Sequence, residues 1–330
     1  MSTSPLRAAM VPVTRQMRAY FAPVDRVSER PTIFDPGSSG VFPLNAPPVP
    51  WVDLGWIENF ARWYDTPTEV MRAGAKSLPV GQFRGALEAR VEFDFCQWGK
   101  LQMALACGSE HMNVLAPVAG SGSPAPSGGT PAPAVAVLPG STASELVFGP
   151  GAVSAFPVGI LVAVDLDYQQ QVGYVGSGIA AAYVRDPVAV KRDPNYLRRV
   201  TFNVGRVAET TATSVLLAQP LIGGAPAEGA GAQIVVGFVD REGGSFFQEW
   251  SGLFVAEEES GGRVCFYYPR LSAGKPAGKA AREEFAAIQK PLSAISLRAS
   301  FLALPHTDTN DGQTVLCYRS YLPAGMAAVY

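Results

Sequence analysis

Residues 86–95 read ALEARVEFDF. Leu87, Ala89, Val91, Phe93 and Phe95 alternate strictly with Glu88, Arg90, Glu92 and Asp94. Successive side chains of an extended strand point to opposite faces, so this spacing predicts a strand with one dry face and one densely charged face. The functional question is what the charged face looks at: bulk water, a ligand, or the interior of a larger assembly.

The chain around it has 330 residues, enough for two domains or one elaborated domain. Hydrophobic residues make up 48% and charged residues only 16%, well below the usual share, and burial between subunits is one way to hide so weakly charged a surface. The net charge of −2 argues against static wrapping of nucleic acid, which needs basic patches. The 34 glycines and 28 prolines suit short strands and turns better than long helices. Four cysteines, at 96, 107, 265 and 317, show no CxxC spacing, so no zinc site is expected and a reduced environment is the simpler reading. The first 21 residues lack the apolar core of a secretory signal, and no apolar run reaches the length of a membrane span; AFPVGILVAV at 155–164 falls short.

Residues 1–50 carry nine prolines and scattered aromatics, which predicts an extended arm lying on a surface. WVDLGWIENF (51–60) and TEVMRAG (68–74) read as strands, followed by the long alternating strand at about 80–96. Trp98, Leu101 and Leu105 recur at helical spacing before Gly108, which predicts a short amphipathic helix at about 97–107. Residues 118–149 are rich in Gly, Pro, Ala and Ser and read as a linker. Short Val-rich runs over 150–243 predict a small β-barrel or sandwich. From 245 onward four more β runs surround one helix, AGKAAREEFAAIQK (277–290), with Ala280, Phe285 and Ile288 as its stripe and Pro291 as its stop. NDG (310–312) between apolar runs marks a hairpin.

No stretch carries the pattern of a catalytic site. Neither His111 nor His306 has a His at i+4, so neither looks like a metal ligand. No G-x-S-x-G elbow exists, and GSSG (37–40) has the wrong spacing. GKPAGKAA (274–281) lacks the spacer and Ser/Thr of a phosphate loop, and GSGI (176–179) lacks the third glycine of a dinucleotide fingerprint. DTNDG (308–312) only partly matches a calcium loop and reads better as a hairpin tip. Glu88, Glu92 and Asp94 share a face, and i, i+2 neighbours such as Glu92 and Asp94 lie about 6–7 Å apart, near the separation of glycosidase carboxylates. Catalytic pairs normally come from different strands, however, and Arg90 between them favours a solvated, charge-balanced face. EEE (257–259) reads as a solvated turn, FYY (266–268) as core plus interface, and DREGGSFFQEW (240–250) as a connecting turn. The expectation is therefore a protein that is not an enzyme and needs no cofactor or metal.

The order of features resembles a known family. A proline-rich lead-in, a WVDLG strand with Asp53 and Gly55, the long alternating strand, an amphipathic helix and closing strands around a second helix together resemble the major tail tube protein of long-tailed (siphovirus-like) bacteriophages. ALEARVEFDFCQWGKLQMALACGSEHMN and LCYRSYLPAGMAAVY carry the resemblance best, over roughly 50–117 and 245–330. The arm, the linker and the 150–243 block depart from a minimal tube protein.

The resemblance implies a mainly β fold: a tail-tube β-sandwich with a flanking helix, an inserted small β domain on the exterior and the N-terminal arm. It implies rings, six copies each, stacked into a tube of the virion that is assembled in the host cytoplasm and conducts DNA during ejection. The implied partners are other copies, the tape measure, the terminator and tail-tip proteins, and passing DNA. Glu88, Arg90, Glu92 and Asp94 would face the bore, which should be polar and not strongly basic so that DNA does not stick. The apolar face of 87–95 would then pack on a second sheet and the helices. The rival expectations are a tail terminator or tail-tip ring, or a carbohydrate-binding β-protein using Tyr168 and Tyr174 of the insert.

Overall fold

The apolar half of ALEARVEFDF closes into the inside of a barrel. The computed structural model describes residues 17–25, 28–37, 42–48, 50–73, 77–85, 87–97, 99–107, 110–116, 132–165, 203–222, 224–241, 249–258, 261–274 and 297–322. The first strands are β1 (Met17–Pro23), β2 (Val52–Asp65), β3 (Thr68–Ala73), β4 (Leu78–Arg84) and β5 (Glu88–Phe95), followed by helix α1 (Lys100–Cys107). Next come β6 (Glu110–Leu115), β7 (Val135–Ala136), β8 (Glu145–Val147), a 3-10 turn (Ala152–Ala155), β9 (Leu161–Asp165), β10 (Val204–Thr210), β11 (Ser214–Leu217) and β12 (Gly231–Arg241). The last are β13 (Glu249–Glu257), β14 (Arg263–Ala273), β15 (Leu297–Ala303), β16 (His306–Thr307), β17 (Thr314–Val315) and β18 (Tyr318–Leu322).

Six antiparallel strands pair in the order β13-β1-β2-β5-β15-β14, and β13 pairs back with β14, so the sheet closes on itself. β18 lies beside β14 where β15 leaves it. Apolar residues dominate the inside: Ala19 and Phe21 of β1, Val52, Leu54 and Ile57 of β2, Val91, Phe93 and Phe95 of β5, and Ala299 and Phe301 of β15 share one core. Phe21, Phe93, Phe254 and Phe301 meet there with neighbouring ring centroids 5.2–6.4 Å apart. Each fully buried aromatic contributes about 1.5–3 kcal/mol of transfer free energy. Leu105 of α1 enters the same core, and the Gln102 amide donates to the Leu54 carbonyl at 3.2 Å. The expected mainly β fold is present, with these strands forming a closed six-strand barrel. From Ala89 to Phe95 the dry face meets the opposite wall of its own barrel, whereas Leu87, expected on that face, is exposed ahead of the strand; alternation fixes two faces but not whether the sheet closes.

The outside of the β1-β13-β14 wall is also apolar, and residues 28–37, 42–48 and 50–51 cover it as a strap. Phe34, Phe42, Leu44 and Trp51 pack on Tyr20, Leu253, Val255 and Tyr267. Hydrogen bonds fix the strap, from Tyr20 Oη to the Leu44 carbonyl at 3.0 Å and from Tyr267 Oη to the Thr32 carbonyl at 2.8 Å. Arg270 donates to both Glu249 oxygens at 2.7 and 3.0 Å and pairs with Glu29 of the strap at 2.9 Å. The N-terminal 50 residues are thus more than an arm. MRAYFA, free of proline, is a central barrel strand, and the described proline-rich residues after it lie on the surface.

The second domain also differs in its bounds. β6-β12-β9-β10-β11-β8 form one sheet, with β7 also on β12. Leu138 N donates to the Val147 carbonyl at 2.8 Å, which brings the two margins of this sheet together around a core that includes Leu146, Phe148, Phe156, Val162 and Val215. The insert therefore starts at β6 and ends with β12, and those two strands pair with each other where they leave the barrel. Two pieces expected in the 118–149 linker, β7 and β8, belong to its wall.

Other expectations are met in part. The helix expected at about 97–107 occupies Lys100–Cys107, and the strand expected at about 80–96 is split into β4 and β5. The NDG turn joins β16 to β17, with Gly312 at φ 73°, a conformation glycine adopts without strain. The helix expected at 277–290 and residues Tyr168 and Tyr174 lie outside the described residues, as do the segments 1–16, 176–179 and 242–248. Among the described residues, no helix is long and apolar enough to cross a membrane.

Candidate functional site

The barrel wall that the strap leaves bare is β2-β5-β15, and its outer surface holds the charged half of ALEARVEFDF. Register places Glu58, Ala61, Trp63 and Asp65 of β2 beside Asp94, Glu92, Arg90 and Glu88 of β5. Arg298, Ser300 and Leu302 of β15 lie on the other side, opposite Asp94, Glu92 and Arg90. Among the described residues of this surface, Glu58, Asp65, Glu88, Glu92 and Asp94 stand against Arg90 and Arg298, so these strands present a net acidic wall.

These residues are not equally wet. Glu88 is exposed and Arg90 half-buried, but Glu92 and Asp94 are only 3% and 9% exposed. Arg298 Nη2 donates to Glu92 Oε2 at 2.9 Å and screens it from above. Asn59 Nδ2 donates to Asp94 Oδ2 at 2.6 Å. A bulge in β2 between Glu58 and Ala61 makes this contact possible: it inserts one extra residue, and Asn59 takes the left-handed conformation (φ 53°) that Asn tolerates. The solvated face expected from sequence is therefore two-layered. Glu58, Glu88 and Arg298 meet solvent, and Glu92 and Asp94 brace them from within. Arg298 and Asn59 escape a reading of 86–95 alone, because their role depends on register with distant strands. Arg298 does leave a trace, as the one charge in the apolar AISLRASFLAL run.

A second surface lies at the far end of β2. β3 and β4 pair only with each other among the described residues, and every residue of β3 is exposed. Val70, Met71, Leu78, Val80 and Phe83 stand in solvent on this hairpin, with Trp63, Tyr64 and Leu87 at its base. Nothing in the alternating 86–95 pattern announces it.

Groups suited to nucleophilic or metal chemistry are not gathered here. Burial pushes the Cys265 thiol up to about 11 and raises Cys317, and burial and then Glu58 raise Cys96, so all three thiols stay protonated near neutrality. His306 pairs across a hairpin with Val315. Among the described residues no three His, Cys, Asp or Glu side chains are grouped to hold a metal ion. Asp53, by contrast, is structural: it accepts from Arg18 Nε and from Gly55 N, both at 2.9 Å, and holds the turn at Gly55 (φ 81°) inside β2. No protein-family model matches this sequence, and no curated protein matches it. The functional reading therefore rests on the two surfaces.

Proposed function

We propose that the chain is a structural subunit that assembles with copies of itself into stacked rings of a phage tail tube, a conduit for DNA. The observation that carries this reading is the division of the barrel wall. One outer surface is sealed by the strap, and the other, β2-β5-β15, is a bare, net acidic polar sheet. Lining a bore with such a sheet lets DNA pass without being gripped, because a duplex binds where cations replace its counterions. Glu58, Glu88 and Arg298 would line the bore directly, with Arg90 beside them and Glu92 and Asp94 beneath.

A head-to-tail ring contact is heterologous, and a stacked contact does not close on itself, so it builds a filament. The insert leaves the barrel through the paired β6 and β12 and would decorate the outside of the tube. Tape measure, terminator and tail-tip proteins would be its partners in the virion.

Negative-stain microscopy of the purified protein tests this. Long hollow tubes are the expected result. Isolated rings that never stack would assign the chain to a terminator or tail-tip ring instead, and a monomer at every concentration would overturn the assembly reading.

A further inference from the structure

We propose that Arg298 is the side chain that touches passing DNA: a phosphate of the duplex takes its guanidinium, and the Ser300 hydroxyl then takes over the hydrogen bond to Glu92. This rests on the conduit reading above and names the contact made in the bore.

Pairing and bonding do not coincide on this wall. Arg298 stands directly opposite Asp94, and Ser300 directly opposite Glu92. Yet Arg298 reaches along the diagonal to Glu92 Oε2 at 2.9 Å, while Asn59 of β2 holds Asp94 at 2.6 Å. Ser300 is left over: it is 3% exposed, and its Oγ has no hydrogen-bond partner. A buried hydroxyl without a partner is costly, and such groups are few in native folds. Directly paired residues share a face with Cβ atoms about 4.5–5.5 Å apart, so a change of rotamer is enough to bring the Ser300 hydroxyl to the Glu92 carboxylate.

Arg298 itself is lightly held. Among the described residues its one hydrogen bond is from Nη2, and its side chain is 54% exposed, more than that of the half-buried Arg90. The rest of its planar donor fork is open to an incoming anion, and that fork matches two oxygens of a phosphate at once. The wall thus has two bonding states. Without DNA, Arg298 closes on Glu92. With a phosphate in reach, Arg298 turns outward and Ser300 donates to Glu92 in its place, so the buried carboxylate keeps a donor throughout. Glu58 and Asp94 beside the arginine oppose the duplex, so the contact is weak and quickly released.

Side-chain NMR of the full chain, kept below the concentration at which it assembles, tests the contact. The Nε–H signal of Arg298, assigned by its loss in Arg298→Lys, should shift when a short DNA duplex is added at low salt. Inorganic phosphate at equal phosphate concentration should shift it less, because it carries no condensed counterions to release. Fluorescence anisotropy of the same duplex should show weaker binding by Arg298→Gln, which can still donate to Glu92 but carries no charge. The slope of log K against log salt should fall by about 0.9, one phosphate contact. Ser300→Ala should weaken duplex binding about threefold to tenfold, one hydrogen bond lost from the bound state. Its melting temperature should be unchanged or higher, because the hydroxyl bonds nothing in the free protein. An Arg298 signal that stays still with duplex, or moves as far with inorganic phosphate, refutes the DNA contact. Ser300→Ala binding like wild type, or melting lower, refutes the exchange at Glu92. Tubes seen beside a still Arg298 signal would remove the contact and keep the conduit. A chain that never forms tubes removes the conduit and this inference with it.

Discussion

Leu221 and Ile222 are neighbours in the chain, yet their side chains belong to two different cores. Leu221 is buried in the insert, among residues such as Leu146 and Val215, while Ile222 packs against the barrel core. The insert is therefore seated on the barrel through this step as well as tethered by β6 and β12. Ile222→Asp should release that seat at a cost of about 1–3 kcal/mol. Calorimetry should then resolve separate melting of the two domains; a single unchanged transition would show that the Ile222 contact carries no coupling.

The bare wall makes a prediction about DNA. Glu58→Lys with Glu88→Lys should leave assembly intact and slow DNA release from particles, because both side chains are exposed and each exchange adds positive charge to the proposed bore. Release at the wild-type rate would remove these residues from the bore.

Glu92→Lys and Asp94→Lys should behave differently. They place an ammonium where Arg298 and Asn59 now donate, so they should lower barrel stability by about 2–4 kcal/mol. Urea denaturation distinguishes the two pairs of variants; equal loss in both would contradict the two-layered face.

Gly252 faces the barrel interior, where an added Cβ would lie 2.5 Å from Leu271 Cδ1. Gly252→Val should cost about 1–3 kcal/mol through overpacking, and adding Leu271→Ala should recover part of that loss. Purely additive losses in denaturant would mean the two side chains do not compete for space.

High pH should destabilise the fold in steps. Burial raises Cys265 from 9.0 to about 11, so below pH 9 the folded and unfolded thiols are both protonated and its contribution is fully present. Between about 9 and 11 the unfolded chain loses the proton first, and stability falls. Burial also raises Tyr20, Tyr267 and Tyr268 from 10.0, which adds a steeper fall above that pH. Cys265→Ala should shrink the first step in a stability–pH profile, leaving the part carried by the raised Cys317 and Cys96, and should leave the second step unchanged.

Local pattern was legible where one strand contains its own answer. The alternation in ALEARVEFDF, the helical spacing around Leu105 and the NDG turn each need only a few consecutive residues. Composition misled where it averaged over different elements. Nine prolines hid MRAYFA, a proline-free barrel strand, and the Ala- and Pro-rich stretch around 135–147 hid two short strands of the insert. Arg62 shows the same limit for charge: it lies on the inner face of β2, 4.7 Å from the Phe266 ring centroid, because a guanidinium can stack on an aromatic ring.

By itself, then, the sequence determined that this chain is mainly β and that residues 87–95 have a dry face and a charged face, because side-chain alternation is a property of the extended backbone alone. Only the tertiary structure decided what each face meets. Pairing between β13 and β14, residues far from 86–95, closed the dry face into a barrel, and the register of β15 and the bulge in β2 set Arg298 and Asn59 over Glu92 and Asp94. Those outcomes depend on hydrogen bonds between strands more than 200 residues apart in some cases, and no local spacing encodes them.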